Sequence, residues 1–410
     1  MHDFNLALLV VAGSALVLGL LSKPLKSFGL PDSVTLLALG VALGPQGLEV
    51  FDPASWRGDM AILEQVARLA VAVGLMGVAL RLPRWYVVRR RRALAVVLGV
   101  GMVFMWLASS AVIGIALGLP PGAALLLGAV VTPTDPVVAS AIVTGPVAER
   151  YLPGSLRRII SSESGANDGL AYLFVMVGIF LVTVPPSGSL ALGVAGVVLV
   201  EIVGAVAVGG VIGLAAGFAL RQAEAHDLIE QPSVLMFTTA LALATLAGVR
   251  LLGSDGILAV FAAGLAFDHQ VNARERQQEE RVVDGVDRFF TSPIFLLLGL
   301  MLPWQAWGDL GWPGVAAVLG VLLLRRLPLF VLIGGRIADL GDRKAGAFAG
   351  WFGPIGVAAV YYAAFAHHQA HVPELWPMVS LLVATSILVH GLTAMPFSRW
   401  FGVSRASPGP

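Results

Sequence analysis

Apolar segments recur along nearly the whole chain, near residues 4–21, 32–48, 61–80, 93–118, 122–145, 157–184, 188–219, 232–252, 254–268, 285–303, 312–336, 344–367 and 374–396. About 17–25 apolar residues in a helix cross roughly 30 Å of hydrocarbon. Thirteen spans are therefore expected, the second and ninth of them short. Between them stand only Pro, Gly or charge, as in Leu119-Pro120-Pro121-Gly122, Pro185-Pro186-Ser187-Gly188 and Glu230-Gln231-Pro232. The expected fold class is an all-α membrane protein of about thirteen transmembrane helices. Residues 1–400 read as a single polytopic domain and 401–410 as a short cytoplasmic tail.

Composition agrees. Charged residues are 12% of the chain and hydrophobic ones 57%, and mean hydropathy is +0.86, whereas a soluble domain carries about 25% charge. A formal charge of +1 with clustered arginines leaves no role for a nucleic-acid partner. With no cysteine, disulfides and thiolate metal sites are excluded, and no cofactor is expected. Phe4 to Leu21 lacks a small-residue cleavage site before Lys23, so it reads as a retained span and not a signal peptide.

Basic residues set the orientation. With the N-terminus outside, the inner loops and tail hold 20 Lys and Arg, including the run Arg89 to Arg92, and the outer loops hold only Arg57 and Arg250. The expected location is the plasma (inner) membrane, with a cytoplasmic C-terminus.

Two spans are interrupted at their centres. The fifth carries Thr132-Pro133-Thr134-Asp135-Pro136 and the twelfth Gly350-Trp351-Phe352-Gly353-Pro354-Ile355-Gly356. Proline removes a donor and clashes with the preceding turn, so both helices should unwind there. Unwound backbone at membrane depth is tolerated only where protein or a water-filled cavity covers it. Paired broken helices at matching places in two halves point to an inverted repeat with a midplane binding site. Spans one to six and eight to thirteen would form the repeats, leaving the seventh as linker.

Acids stand beside these breaks. Asp168 lies ten residues beyond Arg158, about 15 Å deep, and Asp135 is about 21 Å from the opposite boundary if helical. A carboxylate at such depth is costly unless it faces a cavity, a partner or an ion, and it marks a functional site by default. Ser164 and Asp168 are four apart and share a helix face, while Glu163 and Asn167 share the adjacent one. A purely structural polar network is the bland alternative, but interhelical hydrogen bonds in membranes contribute only about 0.6 kcal/mol on average.

Val131-Thr132-Pro133-Thr134-Asp135-Pro136-Val137 and Ser162-Glu163-Ser164-Gly165-Ala166-Asn167-Asp168-Gly169 resemble the two signature stretches of NhaP-type sodium/proton antiporters, in the cation–proton antiporter superfamily. Ser254 to Gly264 and Pro293 to Leu300 are further echoes, and the resemblance covers nearly the whole chain. It implies a core domain sliding against a dimerisation domain, and homodimers. By this resemblance Asp168 binds either cation or proton, and Ser164 and Thr134 join it as Na⁺ ligands. Asp135 offsets the half-helix N-termini of the crossing. Asn167 ties the crossing together, Thr132 supports it, and Glu163 pairs with an arginine of the eleventh span, Arg326 or else Arg325. Two positions depart from the pattern: Leu75 to Leu80 lacks a third-span acid, and Ile355 stands where an arginine is usual.

The expected function is exchange of a monovalent cation, Na⁺ or Li⁺, for a proton, electroneutral and one for one because Asn167 cannot titrate. K⁺/H⁺ exchange is the alternative. A transport-inactive relative, an ion channel and an intramembrane aspartyl protease are remoter ones, and the last would need a Gly-x-Gly-Asp loop that neither acid has. His367, His368 and His371 read as a solvated outer loop, His390 as a satisfied core histidine, and Trp304, Trp307 and Trp312 as an interfacial belt. Glu201 would face a dimer cavity or sit near the interface, and Asp284 and Asp287 would mark a cytoplasmic helix start.

Overall fold

The computed structural model describes residues 30–56, 59–184, 189–228, 234–270 and 289–406, with isolated residues between 9 and 20. The expected first span falls largely outside these residues, as do Asp284 and Asp287. Among the described residues every regular element is a helix. Six are long and apolar enough to cross a membrane: α2 (Asp59–Arg81), α3 (Arg91–Leu117), α6 (Gly154–Thr183), α7 (Leu190–Ala225), α11 (Trp304–Ile333) and α14 (Leu375–Ala406). Shorter apolar helices stand between them: α1 (Asp32–Leu43), α4 (Pro121–Val130), α5 (Pro136–Val143), α8 (Val234–Leu251), α9 (Ile257–Asp268) and α10 (Phe289–Leu300). The twelfth span is α12 (Arg343–Trp351) followed by α13 (Val357–Gln369).

Both expected interruptions are present. The fifth span stops at Val130 and resumes at Pro136, and the twelfth stops at Trp351 and resumes at Val357. Three boundaries differ from the sequence reading. The eleventh span, expected to be continuous over 312–336, is broken at Arg325-Arg326, where Arg326 is non-helical (φ −129°) and Pro328 sits in the first turn of the Leu327–Ile333 piece. That piece starts afresh because Pro328 cannot donate to the carbonyl one turn back. At its other end Gly311 (φ 52°, ψ −147°) separates an outlying turn that begins at Trp304. The last helix continues to Ala406, six residues into the expected tail, because no proline falls between Phe397 and Ala406 and the lone Gly402 costs only about 1 kcal/mol.

The interior is an apolar core with a polar cluster inside it, and the outward faces are apolar as well. α6 buries Ser161, Ser162, Glu163, Ser164, Asn167 and Asp168, while α7 exposes Leu192, Leu199, Val203, Val211 and Phe218. Lipid takes the apolar face, so the polar side chains turn inward. Close approach of backbones does part of the packing, as small residues do in membranes. At the α1–α10 crossing, a Cβ on Gly40 would strike the Leu296 carbonyl, and one on Gly299 the Leu37 carbonyl. Gly299→Val should force the two helices apart and destabilise by about 1–3 kcal/mol. The check is thermal unfolding in detergent, where an unchanged midpoint would contradict this contact.

Candidate functional site

The site is built where the two broken spans cross. Asp135 is the N-cap of α5: Oδ1 accepts the Val137 N–H (2.6 Å) and the Val138 N–H (3.2 Å). Its Oδ2 accepts the Val357 N–H, at the start of α13, and its own N–H donates to the Pro354 carbonyl (2.8 Å). One carboxylate therefore meets the unpaired donors, and the positive dipole ends, of both resumed helices. Gly356 leaves it room, since a Cβ there would overlap Oδ2.

The opposite ends are met by Arg325. Its Nη1 donates to the carbonyls of Val131 (2.7 Å), Thr132 (3.0 Å) and Pro133 (3.2 Å), beyond the last turn of α4. Its Nη2 donates to the Gly353 carbonyl, beyond α12. The freed Ile355 N–H donates to Ser386 Oγ (2.7 Å), which lies 3.0 Å from His390 Nδ1. His390 is thus a satisfied core histidine.

Glu163 faces this crossing from α6. Arg326 pairs with it in a two-pronged contact, Nη1 to Oε1 at 2.6 Å and Nη2 to Oε2 at 2.9 Å, and the guanidinium also lies 4.0 Å from the Phe330 ring centroid. Of the two arginines named from sequence, Arg326 is the partner. Asn167 Nδ2 donates to Glu163 Oε1 (2.8 Å) and to Thr134 Oγ1 (2.6 Å), and Asn167 Oδ1 accepts the Thr134 N–H (3.1 Å). Thr134 Oγ1 lies 3.1 Å from Ser164 Oγ. Thr134, Ser164, Asn167 and Glu163 therefore form one buried network. Thr132 does not join it, because its hydroxyl donates back to the Gly128 carbonyl (2.7 Å) in the last turn of α4.

Asp168 differs from the other two acids. It is 2% exposed and, among the described residues, its Oδ1 has no hydrogen-bond partner. Its main-chain carbonyl accepts the Tyr362 hydroxyl of α13. Asp135 is held by backbone donors and Glu163 by a guanidinium and an amide. Asp168 carries a buried acceptor with nothing to accept from, which in a low-dielectric interior is costly.

Sequence reasoning missed the role of Arg325, which was considered only as an alternative partner for Glu163. The available signal was the Arg-Arg doublet itself: one nearby acid can occupy only one of two buried guanidiniums. Other candidates lie elsewhere. His368 Nδ1 is 3.0 Å from Glu64 on α2, and Glu201 accepts from Ser254 Oγ and the Asp255 N–H (2.8 Å). Trp307 donates to Ser380 (3.0 Å), while Trp304 and Trp312 are exposed.

A sequence model of the family described as sodium/hydrogen exchanger, transmembrane, matches residues 12–400. The chain belongs to this family. It is therefore a multi-pass membrane protein. It is 31% identical to a probable Na⁺/H⁺ antiporter of Schizosaccharomyces pombe over 94% of its length and 55% of the relative's. To Na⁺/H⁺ antiporter 2 of Zygosaccharomyces rouxii it is also 31% identical, over 88% of this chain and 48% of that one. The chain spans about half the length of these curated relatives. The structure of the sodium proton antiporter MjNhaP1 from Methanocaldococcus jannaschii superposes with a TM-score of 0.75 at 19% identity, covering 98% of this chain and 99% of that one. At that identity the likeness establishes the fold.

The ion pair generates a test. Arg326→Ala leaves Glu163 charged, buried and short of its main partner, so it should destabilise by about 3–5 kcal/mol. The pair Glu163→Gln with Arg326→Met, which removes both charges and keeps an acceptor for Asn167, should recover much of that loss. Thermal unfolding of both variants in detergent is the measurement, and a single variant as stable as the parent would refute the pairing.

Proposed function

We propose that this protein exchanges a monovalent cation for a proton, one for one, with Asp168 as the group that binds each in turn. Na⁺ is the favoured cation. The observation that carries the reading is the unpartnered Oδ1 of Asp168 beside a network whose other members are satisfied. A buried carboxyl with no counter-charge is favoured as the neutral acid, and a bound cation restores the carboxylate. Proton and cation therefore exclude each other at one atom group, and that exclusion couples the two fluxes. Thr134 and Ser164, 3.1 Å apart, are the proposed hydroxyl ligands, and hard oxygen donors of this kind suit an alkali cation.

Charge accounting supports the stoichiometry. Among the described residues, five Asp, Glu and Arg side chains are buried at this site: Asp135, Glu163, Asp168, Arg325 and Arg326. Arg326 balances Glu163, and Asp135 and Arg325 are engaged by opposite ends of the broken helices. Of these five, Asp168 is the one left to change its charge, and Asn167 beside it is neutral. Loaded with one proton or with one cation, the site carries the same charge.

The proposal extends to a homodimer in the plasma membrane, N-terminus outside. The two broken spans would be equivalent elements of inverted repeats, exposing the crossing to each side in turn.

Two experiments test it. Purified protein is reconstituted into liposomes with a pH-sensitive dye, and Na⁺, Li⁺ and K⁺ are added in turn. The parent should dequench the dye with Na⁺, whereas Asp168→Asn should be inactive while still eluting as a folded species. Exchange by that variant at the parent rate would overturn the mechanism. For stoichiometry, K⁺ and valinomycin clamp the membrane potential while a Na⁺ gradient drives exchange. The final pH gradient should follow the Na⁺ ratio alone, and dependence on the imposed voltage would exclude one-for-one exchange.

A further inference from the structure

We propose that Arg325 is a positioning residue of the cation site, holding Thr134 in place and supplying the crossing with the positive charge that the isoleucine at position 355 does not provide. This rests on reading Asp168 and Thr134 as cation ligands.

The argument starts from a single peptide unit. The bond between Pro133 and Thr134 presents its carbonyl to Arg325 Nη1 (3.2 Å) and its N–H to Asn167 Oδ1 (3.1 Å). It is gripped from both sides, so the Thr134 hydroxyl is set relative to Ser164 by Arg325 on one flank and Asn167 on the other. The same guanidinium reaches the Gly353 carbonyl with its second nitrogen, tying the Thr134 stretch to the other broken span. A fork is needed for this, since an ammonium is a point charge and a planar guanidinium can address two strands at once.

Charge gives the second line. Arg325 is 3% exposed, and among the described residues its hydrogen bonds go to main-chain carbonyls. A buried cation without a carboxylate would be costly, unless it sits where helix dipoles place negative potential, and the C-terminal ends of α4 and α12 are such places. Asp135 does the converse for the N-terminal ends. The adjacent Arg326 is committed to Glu163. Position 355 is buried at the same crossing but apolar, so it adds nothing to this balance. If Arg325 were replaced by a shorter neutral side chain, the carbonyls of residues 131–133 would lose this donor near the site. Carbonyl oxygens are alkali-cation ligands, so both the position and the charge of the site would change.

The test is a double-mutant cycle on Arg325→Gln and Ile355→Arg, read as the Na⁺ concentration that half-saturates exchange in liposomes. In detergent, the Na⁺ concentration giving half the maximal rise in unfolding temperature is a second readout that needs no transport. Arg325→Gln should raise both concentrations by about tenfold or more. Ile355→Arg alone adds a second cation to a balanced crossing and should also weaken Na⁺ binding. In the Arg325→Gln background the same replacement should strengthen it, restoring most of the loss. This reversal of sign is what a merely structural role would not produce. Arg325→Lys, keeping charge without the fork, should fall between the parent and Arg325→Gln, and it serves in the cycle if the glutamine variant does not fold. An unchanged half-saturating concentration in Arg325→Gln, or an effect of Ile355→Arg with the same sign in both backgrounds, overturns the proposal. Failure of the underlying reading is seen separately, as Na⁺/H⁺ exchange by Asp168→Asn.

Discussion

Two helices stop inside the bundle and start again, and everything at the site follows from the groups those breaks leave unpaired. Hydrocarbon offers no hydrogen bonds, so each freed N–H and C=O must be met by protein. Here the answer is divided by sign. Asp135 takes donors from both resumed helices, and Arg325 takes carbonyls from both stopped ones. Each residue is charged, yet its partners are backbone dipoles, and the two charges cancel over the crossing.

With the backbone satisfied, the side chains around it can be set precisely. Asn167 links the unwound Thr134 to Glu163, and Arg326 keeps Glu163 in place from the eleventh span. Three elements distant in sequence thus share one polar network, rigid because nearly every member has its full set of partners. Asp168 is the exception. A lone unsatisfied carboxyl oxygen beside a satisfied network supports the proposal that an ion and a proton compete there, since both supply what the surroundings withhold.

Much of this was legible from the chain. Proline at 133, 136 and 354 announces broken spans wherever those residues sit, because a missing donor is a property of the residue. The depth of Asp168 and its shared face with Ser164 follow from helix periodicity. The break at Arg325-Arg326 was less visible, since Pro328 lies at the start of the piece that follows and reads equally well as an ordinary first-turn proline. The run of the last helix to Ala406 was hidden for a simpler reason: hydropathy falls at Ser398 and Arg399, but helical backbone does not end where apolarity does.

The sequence alone determined the membrane class, the two interruptions and the set of acids, all consequences of local composition and periodicity. Which arginine meets which group was decided only in three dimensions. Arg325 and Arg326 are chemically identical and adjacent, and a sequence carries no distance from either to Glu163, some 160 residues away. Their division of labour depends on how the break in the eleventh span aims the two guanidiniums. The same holds for Thr132 and Thr134, two residues apart in one motif: the first turns back to its own helix and the second faces Ser164. The unwound backbone between them sets those directions, and its path depends on the contacts that cover it.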